Sequence, residues 1–61
     1  MEKLYRDIEK INDPMSLQSI VIKTENIINQ LNENESELKN DLENVIKYTN
    51  QRIIDLFNKI N

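Results

Sequence analysis

Cysteine, histidine, glycine and tryptophan are all missing from this 61-residue chain, and proline occurs once. Without cysteine and histidine there are no disulfide staples, no thiolate or imidazole metal ligands, and neither the commonest general base nor the commonest reactive nucleophile. Without glycine, the tight hairpins of a small sheet protein and the phosphate-cradling loops lose the residue they depend on, and so does a calcium loop at its bend. The three serines, Ser16, Ser19 and Ser36, each have a plainer role near a helix start or on a helix face. The chain is therefore expected to be no enzyme and to take no cofactor, metal or small-molecule substrate.

Long apolar runs are missing too. The longest is Ile20-Val21-Ile22, far short of a membrane span or a signal-peptide core, so the expectation is a cytoplasmic protein, or one of the host cytoplasm if viral. Positive charge is sparse: eight Lys and Arg face eleven Asp and Glu, for a net charge of −3. The basic residues Lys3, Arg6, Lys10, Lys23, Lys39, Lys47, Arg52 and Lys59 are scattered. Nucleic acid is thus an unfavoured partner, because phosphate neutralisation drives most such binding. Asparagine and isoleucine, ten of each, point to an AT-rich coding genome in a bacterial or viral setting.

What remains is helix. A glycine-free chain rich in isoleucine, leucine, glutamate, lysine and asparagine reads as a single all-α domain over residues 1–61. At this length only about 60% of the unfolded surface is buried, so self-association or docking is expected to supplement the core. Leu4, Ile8 and Ile11, with Met1 leading and Tyr5 beside them, predict a short amphipathic helix over 2–12. Asn12-Asp13-Pro14 then marks a boundary, with Asp13 as N-cap and Pro14 in the first helical position.

A second helix over 14–31 carries Leu17, Val21, Thr24, Ile28 and Leu31 at alternating spacings of four and three. A third, over 35–60, carries Leu38, Leu42, Val45, Thr49, Arg52 and Leu56 on the same rhythm. Folded back through a turn at 32–34, the two stripes meet in layers: Leu31 with Leu38, Ile28 with Leu42, Thr24 with Val45, Val21 with Thr49, and Leu17 with Arg52. In the last layer the Arg52 head is expected to reach water past its apolar stem. Asn34 and Glu37 form a capping-box pattern for the third helix, and Asn32 is suited to close the second in the left-handed region.

The expected fold is thus a short N-terminal helix on an antiparallel helical hairpin, a small self-associating bundle. Its alternative is one long continuous coiled-coil helix after Pro14, since the heptad phase runs unbroken through Glu35. Outside the seam, a second row of Ile20, Ile27, Ile46, Ile53 and Ile60 is expected to share one side of the hairpin and leave a groove for the first helix. Glu35–Lys39, Glu43–Lys47 and Asp55–Lys59 are favourably ordered helical pairs.

The function expected on these grounds is a non-enzymatic protein–protein interaction module, a small regulator, inhibitor or adaptor that binds and self-associates through helix faces. Its partner would be a protein or further copies of itself, as a dimer or higher oligomer. The candidate surface comprises Ile20, Ile27, Ile46, Tyr48, Ile53, Ile54, Phe57 and Ile60. The alternatives are an oligomerisation segment of a larger scaffold or viral protein, and a nucleic-acid-binding bundle.

Overall fold

The computed structural model describes residues 2–60; Met1, Asn61 and the side chain of Ile60 lie outside the described part. The described residues form three α-helices, α1 (Glu2–Lys10), α2 (Pro14–Gln30) and α3 (Ser36–Ile60), with a single 3₁₀ turn, Glu33–Glu35, before α3. α2 and α3 pack antiparallel as a helical hairpin, which replaces the continuous-helix alternative. The molecule measures 43 × 20 × 14 Å, its long axis set by α3. No described helix is long and apolar enough to cross a membrane.

Asp13 starts α2 in the manner its sequence implies. Its backbone is extended (φ −109°, ψ 115°), Oδ1 accepts from the Met15 N–H at 3.2 Å, and Oδ2 accepts from the Ser16 hydroxyl at 2.9 Å. This geometry shortens α1, which ends at Lys10 rather than at residue 12. Ile11 turns its N–H onto the Ile8 carbonyl at 3.1 Å, tightening the last turn. The chain then has to be extended before Pro14, whose ring disfavours a helical Asp13.

The reversal between α2 and α3 uses different residues from those expected. Leu31 (φ −77°, ψ 147°) and Asn32 (φ −81°, ψ 162°) are both extended, and no described residue has positive φ, so Asn32 does not close α2 in the left-handed region. The box that opens the return helix lies two residues upstream of Asn34–Glu37. The Asn32 N–H donates to Glu35 Oε2 at 3.1 Å, the box's return bond, and the Glu35 N–H donates to the Asn32 carbonyl at 3.0 Å, the backbone bond that closes the 3₁₀ turn. Asn32-Glu33-Asn34-Glu35 and Asn34-Glu35-Ser36-Glu37 fit the same pattern. The earlier one prevails because two extended residues already reverse the chain, leaving Asn34 inside the 3₁₀ turn.

Burial runs in a gradient along the hairpin. Ile8, Leu17 and Val45 are fully buried, and Leu56 nearly so, with Leu4, Tyr5, Ile11, Ile20, Tyr48 and Ile53 packed around them. Toward the reversal the seam opens: Ile28, Leu31 and Leu42 are half-buried, and Leu38 is 45% exposed. The cause is the short reach of α1. α1 spans nine residues, about 13 Å at 1.5 Å per residue, and covers only the end of the hairpin remote from the turn.

Two threonines, Thr24 and Thr49, lie buried in the seam beside Val21 and Val45. Each hydroxyl is satisfied within its own helix, Thr24 Oγ1 donating to the Ile20 carbonyl at 2.7 Å and Thr49 Oγ1 to the Val45 carbonyl at 2.8 Å. Their methyl groups are thereby left to the seam without a buried unsatisfied hydroxyl.

Candidate interaction surface

The second apolar row divides between two sides of the hairpin. Two facing antiparallel helices wind in opposite senses when viewed from one end, and their seams also look in opposite directions. These two reversals cancel. Residues that immediately precede a seam position therefore lie on one flank in both helices, and residues that follow one lie on the other. Ile20 and Ile27 precede Val21 and Ile28, on the flank of Tyr48, which precedes Thr49. Ile46 and Ile53 follow Val45 and Arg52, on the opposite flank. The expected single row sharing one groove is thus corrected to two.

α1 occupies the first flank, and a polar and aromatic cluster holds it there. Tyr5 packs edge-on against Tyr48, with ring centroids 4.8 Å apart and planes at 81°. The Tyr48 hydroxyl donates to Glu9 Oε1. One η nitrogen of Arg52 donates to the Glu9 carbonyl at 3.0 Å and to Asn12 Oδ1 at 3.1 Å. A guanidinium at the C-terminal end of α1 meets both the free carbonyls of the last turn and the negative pole of the helix. Arg52 is thus the cap of another helix, whereas its seam position suggested only a head reaching solvent. Its Nε is buried without a partner, which marks how far the side chain is drawn across α1.

Beside this cluster lies a cleft of about 370 Å³ lined by Glu9, Tyr48, Gln51, Arg52 and Asp55. Its polar groups are largely engaged with each other, Asp55 accepting from Gln51 Nε2 at 3.1 Å. Among the described residues no three acidic side chains converge to hold a metal ion, and the acidic run from Glu33 to Glu43 is exposed along its length.

The bond to Glu9, reinforced by burial and by the Glu9 charge, raises the Tyr48 hydroxyl above the ordinary tyrosine value, with the Arg52 charge opposing. A group raised on folding contributes stability that is complete below its unfolded pKa and is lost as pH climbs through the folded one. The tyrosine-linked part of the stability should therefore fall above about pH 10. Thermal melts from pH 9 to 11 are expected to show a shallower decline for Tyr48→Phe than for the parent; equal slopes would remove Tyr48 from the linkage.

With α1 in place, the candidate surface residues separate by accessibility. Ile20, Tyr48 and Ile53 pack against the core, and Tyr48 is committed to α1. Ile46 is half-buried. Ile27, Ile54 and Phe57 are 49%, 51% and 54% exposed. Ile60 falls outside the described side chains. Two exposed apolar residues were missed: Met15 and Ile22, 75% and 52% exposed on the outer face of α2, with Gln18, Ser19 and Lys23 around them. Their seven-residue spacing was a legible signal, but both lie opposite the seam, where the stripe draws no attention.

No protein family, no curated protein and no solved structure compared with the chain matches it. The surface and the fold therefore carry the functional reading alone.

Proposed function

We propose that this chain is a non-enzymatic protein–protein interaction module that binds through the exposed apolar faces of its helical hairpin. The observation that supports the reading is a mismatch between core and surface. Among the described residues, six large hydrophobic side chains, Met15, Ile22, Ile27, Leu38, Ile54 and Phe57, stand at least 45% exposed, against five apolar residues in the buried core. Single exposed hydrophobics are ordinary, but so large an exposed set beside so small a core supports a surface that a partner covers. A regulator, inhibitor or adaptor acts through such surface, and a chain without histidine or cysteine has few means of acting otherwise.

Photo-crosslinking tests this. With a benzophenone amino acid at Phe57 or at Ile22, irradiation in the cells of origin should yield discrete protein adducts from at least one site. Adducts to nucleic acid, or no adduct from either site, would overturn the proposal.

A further inference from the structure

We infer that the flank of α3 opposite α1 is an isologous dimer interface whose occupant is a second copy of this chain, docked α3 against α3 in antiparallel sense. The inference rests on the interaction-module reading and names its partner.

Area is the first argument. A globular monomer of this mass exposes about 4,200 Å², whereas this chain exposes 4793 Å². The surplus, counted over the whole molecule, is about 600 Å² per chain, and two copies covering that much would bury about 1,200 Å², the lower bound of a specific interface.

The second argument is the pattern. Ile46 and Ile53, half-buried, and Phe57, exposed, form an apolar strip on this flank, extended toward the reversal by the half-buried edge of the seam residue Leu42, with the flank's charged residues Lys39 and Glu43 beside that end. The strip reads the same in both directions about a point between Thr49 and Asn50. A two-fold axis there sets Ile46 of one copy against the second copy's Ile53, and Leu42 against its Phe57, each contact made twice. Thr49 is buried in the intramolecular seam and Asn50 is exposed, so of the two residues that flank the axis it is Asn50 that faces the second copy, with an amide able to donate and accept across it. A polar residue at one such position fixes register and orientation.

Charge decides the sense. Parallel packing in register would stack Lys39 on Lys39 and Glu43 on Glu43, both exposed beside the strip. Antiparallel packing separates each from its own kind and opposes the two helix dipoles.

The test uses the full chain, whose lack of native cysteine makes single-cysteine variants unambiguous. Asn50→Cys should form a covalent dimer on mild oxidation, because the axis brings the two copies of that position within disulfide reach, about 4.4–6.8 Å between Cα atoms. Glu43→Cys should not. Phe57→Asp should weaken association measured by sedimentation equilibrium at least about tenfold while leaving helical circular dichroism unchanged, since Phe57 lies outside the buried core. Three results would overturn the inference: a parent chain monomeric across the micromolar range, Glu43→Cys crosslinking as readily as Asn50→Cys, or Phe57→Asp associating like the parent. Photo-adducts to a different protein from a monomeric parent would remove the second copy and leave the interaction-module reading standing.

Discussion

Val45→Asp is expected to abolish the fold, leaving a chain with little helical circular dichroism at 25 °C. Val45 is fully buried, within the cluster that joins Ile8, Leu17 and Leu56. A carboxylate there would sit among the apolar side chains of Ile8, Leu17 and Leu56. An unpaired charge in such a place costs several kcal/mol even when it is protonated to escape ionisation. A 61-residue domain holds a total stability of about 3–9 kcal/mol, so one such cost consumes most or all of it. The control is Leu38→Asp on the same seam. Leu38 is 45% exposed, its carboxylate stays in water, and the first turn of α3 favours negative charge, so that variant should remain helical. A folded Val45→Asp protein would show that the packed centre lies elsewhere.

The second large effect belongs to Arg52. Truncation to Ala removes two charge-assisted bonds, to the Glu9 carbonyl and to Asn12 Oδ1, together with the packing of the stem. With Arg52 half-exposed, solvent takes back part of that gain, and the expected loss is about 1–2 kcal/mol. The loss should be local before it is global. α1 is attached through the Tyr5–Tyr48 edge contact, the Tyr48–Glu9 bond, Arg52 and Ile8, and without Arg52 its open state becomes more populated. Trypsin should then cut after Lys10 markedly faster than in the parent, and the near-ultraviolet tyrosine signal should weaken while the hairpin stays helical. Unchanged cleavage would mean that Ile8 and the tyrosines hold α1 unaided.

These predictions depend on features that were unequally legible in the sequence. The three helices followed from the three-four spacing, and Asp13-Pro14 announced its boundary because capping and proline geometry are local properties. The fold-back itself was decided between two readings that shared one heptad phase, and only the structure separated them. Two overlapping Asn-x-x-Glu patterns were equivalent locally, so the one that opens the return helix, Asn32 with Glu35, could not be told from its neighbour. Arg52 was placed on the seam, but its role as cap for α1 involves partners 40 and 43 residues away. No periodicity encodes that. The division of the isoleucine row is a different case: it follows from antiparallel geometry, and the rows had been read for their width instead of their handedness.

The gradient of burial along the hairpin also bears on how the chain reaches this state. A helical hairpin packed most tightly near its turn could zip from there, each layer closing a short loop. Here the layers at the turn are the loosest, and the fully buried apolar residues, Ile8, Leu17 and Val45, come from all three helices and sit far apart in the sequence. Long loops must close before the strongest contacts form, so the chain should fold more slowly and with fewer stable partial forms than its small helical architecture suggests. Its two ends, remote along the chain, would order in the same step.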